Sequence, residues 1–165
     1  MARTDSFFIR ADVAVPATTF GQAAIDLGAY VDALGKSVLR IHNIQVQYGS
    51  AGSNPVVTIS SENNSSFQLT TQSQSDLVDL SNRSVVASGR MPTVGNSVDP
   101  VVAVISETLD TAPQEYTEGY LIAVEQMYLG VKQTAAVLDK ISIVLECTVE
   151  TMTQAAAMAL ALSQQ

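Results

Sequence analysis

A stretch of strict two-residue alternation, Lys140–Met152, places the strongest constraint on the fold of this chain. Its odd-numbered positions are apolar, namely Ile141, Ile143, Leu145, Cys147 and Val149. Between Ile141 and Glu150 the even-numbered positions are polar, with Val144 as the single exception. A period of two over about ten residues indicates a β-strand with one face in a core. At about 3.3 Å per residue, such a strand spans most of a small domain and needs long partners.

The nearest candidate partner is Tyr120–Val131, which is an almost unbroken apolar run. The segment between the two, Lys132–Asp139, is short enough for a hairpin connection. The sequence therefore predicts that a long hairpin of these two strands organises the fold.

The rest of the chain shows shorter strand patterns separated by turn residues. The predicted strands are Phe7–Val15, Ala23–Leu27, Val38–Tyr48, Val56–Ser60, Phe67–Thr71, Ser84–Ser88 and Val101–Glu107. Within Val38–Tyr48 the apolar phase changes at His42-Asn43, which predicts a β-bulge there. Predicted turns and loops are Ser61–Ser65, with a hairpin turn at Glu62–Asn64, followed by Gly89–Pro100 and Asp110–Gly119.

Two segments have helical features. Ser75–Asn82 has a short helical pattern with Ser75 as a candidate N-cap. Thr151–Gln165 is rich in alanine, methionine and leucine, which are good helix formers. We expect a short terminal helix or a partly disordered tail over residues 152–165.

These elements predict an all-β chain. Eight clear strands and one doubtful one, without βαβ spacing, indicate an antiparallel two-sheet sandwich. Among sandwiches, eight strands with long end loops suit a single jelly roll. At 165 residues, the chain is expected to form one domain over residues 1–165.

The low charge content admits two explanations. Charged residues make up 15% of the chain, whereas the average is about a quarter. Either uncharged polar side chains keep the surface soluble, or much of the surface is buried in an assembly. The composition leaves both explanations open.

The distribution of charge argues against nucleic acid as a direct partner. The formal net charge is −8, and the eight basic residues are scattered rather than clustered. Binding to a phosphate backbone needs several clustered cations, so we expect no direct nucleic-acid contact.

Segments for targeting or membrane insertion are not expected either. Met1–Asp5 carries an acid before a very short apolar patch, unlike a signal peptide. The longest strongly apolar stretch, Ala155–Leu162, is far shorter than the roughly 20 residues that span a bilayer. The single cysteine, Cys147, excludes an internal disulfide and agrees with synthesis and assembly in the cytosol.

Residues with catalytic potential are sparse. Zinc needs three or four nitrogen or sulfur ligands, and His42 and Cys147 are the only histidine and cysteine. Neither G-x-S-x-G nor a glycine-rich phosphate loop occurs. We therefore interpret His42 as a strand residue satisfied by a neighbour, and Cys147 as a buried inert thiol. The sequence predicts no enzyme, no catalytic, cofactor-binding or metal-binding residues, no cofactor and no small-molecule substrate.

The acidic residues and the glycosylation triplets also favour an interpretation without a bound ion or an attached glycan. The acids of two predicted loops are Asp76 and Asp79, and Asp110, Glu115 and Glu118. No D-x-D-x-D-G loop is present, so solvated carboxylates are favoured over a calcium site. The triplets that begin at Asn63, Asn64 and Asn82 are attributed to chance in a chain rich in asparagine and serine.

Two longer segments resemble a known family. The first is Ile25–Asp32, which leads into Val38–Val46. The second is Pro113–Gly119 followed by Leu121–Val131 and the last strand. Together they cover about half of the chain and resemble the small single jelly-roll capsid proteins of icosahedral viruses of microbes.

The resemblance implies a shell protein of many copies, with loops in inter-subunit contacts and a place in the virion after assembly in the host cytoplasm. The chain departs from capsid proteins that have a basic N-terminal arm. It fits better a shell that covers an internal membrane or is lined by another virion protein.

Three functional hypotheses follow. The first is a structural subunit that assembles with copies of itself, specifically a viral major capsid protein. The second is a non-catalytic ligand- or carbohydrate-binding sandwich, which aromatic content of 5% and the absence of tryptophan disfavour. The third is a cupin-like enzyme, which one histidine disfavours. The apolar tail would either mediate assembly or fold back to plug an open end of its own sandwich.

Overall fold

A computed structural model describes residues 4–16, 18–32, 36–52, 62–95, 102–104, 114–134 and 139–165. These residues form nine strands and one helix. The elements are β1 (Phe7–Val15), β2 (Gly21–Asp26), β3 (Ser37–Tyr48), β4 (Glu62–Thr70), β5 (Val85–Gly95), β6 (Val102–Val104), β7 (Gln114–Ile122), β8 (Gln126–Gln133), β9 (Asp139–Thr151) and α1 (Gln154–Ser163).

The strands form two antiparallel sheets with jelly-roll connectivity. Sheet A has the order β1-β9-β3-β7, and sheet B has the order β2-β8-β4-β5-β6. From β1 to β4 and again from β7 to β9, each strand lies in the opposite sheet from the one before it. The all-β sandwich and the single jelly roll are confirmed, and the short β6 extends the usual set of eight strands.

The core lies between the sheets and follows from the alternation along each strand. Leu145 and Ile143 of β9, Ile41 of β3, and Phe67 and Leu129 of sheet B are all at most 2% exposed. They belong to one continuous cluster. Burying each such side chain stabilises the fold by about 1.5–3 kcal/mol, so the two sheets hold each other in place.

The predicted hairpin of the two longest apolar segments is wrong. β9 pairs with β1 and β3 in sheet A, whereas β8 pairs with β2 and β4 in sheet B. The run Tyr120–Val131 is also two strands, because the chain crosses between the sheets at residues 123–125. The amide of Leu27 donates to the carbonyl of Glu125 at 2.8 Å and holds that crossing.

The predicted bulge in β3 is confirmed. Ile41 pairs with Cys147 and Asn43 pairs with Glu146, so His42 is the extra residue in the ladder. Because of this extra residue, Leu39 and Ile41 before the bulge and Ile44 after it all enter the core. The change of apolar phase in the sequence therefore reflects a bulge that keeps the apolar side chains on the core face of the sheet.

Several predicted turns are strands in the structure. Glu62–Asn64 belongs to β4, and Gly89–Gly95 belongs to β5, which includes Pro92. Residues 114–119 belong to β7 rather than to a loop. Among the described residues, β6 pairs with β5 only from Thr93 onward, so Pro92 has no described strand on that side, and a missing amide hydrogen is tolerated there.

The remaining strand predictions have mixed outcomes. Phe7–Val15, Ala23–Leu27 and Val38–Tyr48 correspond to β1, β2 and β3. Phe67–Thr71 and Ser84–Ser88 are parts of the longer β4 and β5, and Val101–Glu107 is represented by β6. The predicted strand Val56–Ser60 and the loop positions 96–100 and 110–113 lie outside the described residues.

The predicted helix at Ser75–Asn82 is wrong, since residues 71–84 are irregular. Side chains of sheet B hold this segment instead. Gln68 donates from Nε2 to the carbonyl of Val78 at 2.6 Å and accepts from the amide of Val78 at 3.0 Å. Lys132 donates to Asp76 at 2.6 Å, and the amide of Gln74 donates to Gln22 at 2.9 Å. These tertiary hydrogen bonds override the weak local helical preference.

Candidate functional site

The C-terminal helix packs against its own domain. Thr153 caps the N-terminus of α1 by accepting the amide of Ala156 at 3.3 Å. Ala157 is fully buried and contacts Val38 and Ala123, which lie where β3 begins and β7 ends. The prediction of a terminal helix is confirmed, and its inner face covers one end of the sandwich.

Gln164 fastens the end of the helix in a way that the sequence did not reveal. Its Nε2 donates to the carbonyl of Leu121 at 2.6 Å, and its Oε1 accepts the amide of Ala123 at 2.9 Å. Its backbone carbonyl also accepts the hydroxyl of Thr71 at 2.8 Å. One glutamine therefore satisfies backbone groups where β7 ends, and it is only 4% exposed. Its spacing from Ala157 and Ala161, which places it on the same helix face, was the only available signal.

The outer face of α1 is apolar and uncovered. We call the helix stripe the four exposed residues at spacings of three and four, namely Ala155, Met158, Ala159 and Leu162. Met158 is 43% exposed and Leu162 is 67% exposed. A contiguous apolar row without charged side chains is a candidate contact surface.

An ion pair lies beside the helix end of sheet A. Arg40 of β3 binds Glu150 of β9 through two bonds, Nε to Oε1 at 2.7 Å and Nη2 to Oε2 at 2.8 Å. Its third nitrogen donates to the carbonyl of Glu118. The bonds to the Glu150 side chain, and then its charge, raise the pKa of Arg40 above its ordinary value, against the opposing effect of burial. Two-point contact of this kind is the strong form of an arginine–carboxylate pair.

Gly119 makes this contact possible. Its φ is +77°, in the left-handed region that favours glycine. A Cβ at this position would lie 2.5 Å from Cγ of Arg40 and 3.1 Å from the carbonyl oxygen of Ile41. Glycine therefore lets β7 approach the arginine side chain.

A second surface feature is a cleft at the side of the sandwich, which we call the side cleft. It has a volume of about 560 Å³ and is lined by residues that include Gln68, Val78, Leu80, Arg90, Gln114 and Tyr116. Within it, Tyr116 donates its hydroxyl to the carbonyl of Val86 at 2.5 Å, and Gln114 donates to the carbonyl of Ser88 at 2.7 Å. These bonds join β7 to backbone carbonyls of β5. Burial raises the pKa of Tyr116 to about 12. Much of the polar lining is therefore already engaged in holding the fold.

The histidine and the cysteine have the structural roles that the sequence predicted. Nε2 of His42 lies 2.9 Å from the hydroxyl oxygen of Thr148 on the neighbouring strand. Cys147 is a free thiol in the core, and burial, followed by the nearby Glu146, raises its pKa to about 12. At neutral pH the thiol is thus protonated and inaccessible, which makes it a poor nucleophile.

The described acidic residues form no cluster that could hold a metal ion. Asp76 binds Lys132, and that hydrogen bond holds the pKa of the carboxyl below its usual range. Among the described residues, no group of three or more histidine, cysteine or acidic side chains could hold a metal ion. Asp110 lies outside the described residues.

The three glycosylation triplets lie in different settings. Asn63 is only 1% exposed, and Oδ1 of Asn64 is buried without a hydrogen-bond partner. Asn82 accepts the amide of Ser84 at 3.0 Å in a turn. The side-chain placement of Asn63 offers no accessible acceptor, which agrees with the chance interpretation for that triplet.

The end of the inner face opposite α1 is polar. Gln133, Asn63 and Thr93 are each 1% exposed, and within the part of the chain that the structure describes, both amide atoms of Gln133 lack a hydrogen-bond partner. The unpaired amide is an energetic cost of about 1–3 kcal/mol unless water reaches it. The core is thus apolar beside the helix and polar at its other end.

Neither the helix of the structure nor the comparisons with known proteins transfer a function to this chain. Among the described residues, no helix is both long and apolar enough to cross a membrane.

No protein-family model matches the chain, and no curated protein is detectably similar to it.

Proposed function

We propose that this chain is a structural subunit of a multi-copy protein shell, and that the shell is the capsid of an icosahedral virus. The observation that carries the proposal is that large apolar side chains are exposed on separate elements of one jelly roll. Phe8 on β1 is 53% exposed and Leu80 in the 71–84 segment is 75% exposed, in addition to Met158 and Leu162 on α1. A shell subunit needs several such contacts because it meets several neighbours.

Charge and composition support the same proposal. Charged residues are only 15% of the chain, and the helix with its cap and end, Thr151–Gln165, contains no charged side chain. Surfaces without charge can be brought together without the cost of desolvating ions. The proposed partners are copies of this chain, with other virion proteins or an internal membrane inside the shell, and the proposed location is the virion after assembly in the host cytoplasm.

The test is whether the purified protein assembles. We expect a concentration-dependent transition from small species to closed particles, measured by light scattering and seen by negative-stain electron microscopy. A stable monomer across all concentrations and salts, together with tight binding of a glycan, would overturn the proposal.

The side cleft favours a second candidate, a non-catalytic ligand- or carbohydrate-binding module. Its volume lies in the range of small-molecule sites. Glycan-array binding followed by calorimetry tests this candidate. Binding that is lost in Leu80→Ala and Arg90→Ala, with an unchanged melting temperature, would favour it over the shell.

A further inference from the structure

We infer that the helix stripe is a contact between two copies of this chain, in which two α1 helices pack against each other in antiparallel orientation. The inference deepens the proposed shell function and rests on it for the role of the contact. The contact itself is a property of Ala155, Met158, Ala159 and Leu162.

The geometry of α1 separates folding from association. Ala157 and Gln164 lie on the inner face, where they are at most 4% exposed. Met158 and Leu162 lie on the outer face, so they make no comparable contribution to the fold. The outer row follows the spacing by which one helix packs against another. Two alanines in the row, at positions 155 and 159, let a second helix approach closely.

Charge identifies the occupant as a second copy rather than a lipid surface. Helices that lie on membranes combine an apolar face with lysine and arginine on the polar face. Between Ile141 and Gln165 there is no lysine or arginine, and the whole chain has a net charge of −8. An anionic bilayer would repel such a chain. Two copies repel each other as well, except where an uncharged surface such as Thr151–Gln165 meets its counterpart.

The size of the stripe sets the strength of the contact. A ten-residue helix offers a footprint of roughly 15 Å by 10 Å. A stable interface buries about 800 Å² on each partner, which is several times larger. One helix pair is therefore a weak contact that becomes effective only when a subunit makes several contacts at once, as in a closed shell.

A groove lies at the start of the helix. It has a volume of about 600 Å³ and is lined by Lys36, Ala156 and residues 151–154. In an antiparallel pair the end of one helix, which carries Leu162, faces the start of the other. Leu162 of one copy would thus fill the groove of the next.

A cysteine placed near the two-fold axis of the pair tests the contact directly. Ala159→Cys lies near the centre of the stripe, so we expect it to form disulfide-linked dimers under mild oxidation, in a yield that rises with protein concentration. The native Cys147 is buried and does not interfere. Gln45→Cys, at an exposed position of β3 away from the helix, is the matched control and should cross-link at least five-fold less. Equal yields at the two positions would overturn the inference.

Charge placed on the stripe tests its role in assembly. The double variant Met158→Glu, Leu162→Glu should raise the protein concentration at which particles assemble at least ten-fold, without lowering the melting temperature. Gln45→Glu with Gln47→Glu adds the same charge at exposed positions of β3, away from the helix, and should assemble like the unaltered chain. If both double variants assemble equally, the stripe is not a contact, although the shell proposal stands.

Two further outcomes separate the contact from the shell and from lipid. Dimers of Ala159→Cys without particles from the unaltered chain would support the contact and refute the shell. Flotation with vesicles of phosphatidylcholine and phosphatidylglycerol that is lost in the Met158→Glu, Leu162→Glu variant would overturn the inference in favour of a lipid surface.

Discussion

The ion pair between Arg40 and Glu150 allows the sharpest test of the energetics of this fold. Glu150 is 3% exposed, whereas Arg40 is 15% exposed and also binds the carbonyl of Glu118. Removing one partner of a buried pair costs about 3–5 kcal/mol, because the other charge stays desolvated without compensation. The two single substitutions should therefore differ in magnitude.

Arg40→Met keeps the apolar stem and leaves the Glu150 carboxylate without its arginine where water scarcely reaches it. We expect a loss of about 4–5 kcal/mol in the free energy of unfolding, the upper part of the range for such pairs. Glu150→Gln leaves Arg40 with partial access to water and with its bond to the Glu118 carbonyl. We therefore expect a loss of about 3 kcal/mol in the free energy of unfolding. The double variant should lose less than the sum of the two, with a coupling of about 1–3 kcal/mol.

Urea denaturation followed by circular dichroism measures all four proteins, and an unchanged slope shows that the unfolded state is comparable. The exposed pair of Lys132 and Asp76 is the matched control, whose side chains are 35% and 53% exposed. Its coupling should be far smaller, since solvent and salt screen it. Equal, small losses for Arg40→Met and Glu150→Gln, with additive effects in the double variant, would refute the argument that burial makes this pair strong.

The remaining predictions concern the core, the backbone, the thiol and the helix. Leu145→Asp should abolish folding, because a core carboxylate would have no partner. Soluble protein with a native-like circular dichroism spectrum would contradict this prediction. Gln45→Asp, on the exposed face, is the control. Gly119→Ala should destabilise the fold by about 2 kcal/mol or more, measured by urea denaturation. Gly52→Ala has the same positive φ with open space around it, so an equal loss would show that the contact with the arginine is irrelevant. Burial raises the pKa of Cys147 to about 12, so the folded state keeps a proton that the unfolded state loses above about pH 9. The free energy of unfolding should therefore fall as the pH rises from about 9 to 12. An equally steep fall in the Cys147→Val variant would refute the thiol as its origin. Deleting residues 153–165 should lower stability by about 2 kcal/mol or more, because Val38 and Ala123 become exposed; an unchanged melting temperature would contradict the docking of the helix.

Local patterns in the sequence predicted which residues face the core, but not which strands are neighbours. The alternation from Ile141 to Val149 correctly indicated a long strand, and the phase change at His42 correctly indicated a bulge. Both depend only on which side of a strand is buried. The partner of β9 could not be derived this way, because β1 and β3 lie far from it in sequence and the alternation is compatible with any long strand.

The errors at turns have a common physical cause. The crossing at residues 123–125 has neither glycine nor proline, so the apolar run Tyr120–Val131 showed no break. Conversely, Pro92 lies within β5, at a position with no described strand on one side. Ser75–Asn82 was expected to be helical from its local pattern, but the hydrogen bonds of Gln68 and Lys132 come from distant strands. For Ser75–Asn82, tertiary contacts outweighed a local helical preference of a few tenths of a kcal/mol per residue.

The candidate site was only partly accessible to sequence reasoning. Arg40 and Glu150 are 110 residues apart, so no local spacing connects them. Helical spacing in the sequence places Met152, Ala155, Ala159 and Leu162 on one face and Met158 elsewhere, whereas in the structure Met158 shares the exposed face with Ala155, Ala159 and Leu162. Whether that face would point inward or outward depended on Gln164 and Ala157, which anchor the opposite face to the sandwich.

The two faces of α1 explain why a chain would keep an exposed apolar helix. If the helix only plugged an open end of the sandwich, Met158 and Leu162 could be polar without loss, because neither is covered by the domain. If it only mediated association, Gln164 would not need its bonds to Leu121 and Ala123. Each face thus has a separate physical consequence. Changes to the inner face should lower the stability of the monomer, and changes to the outer face should leave stability unaltered while they weaken association.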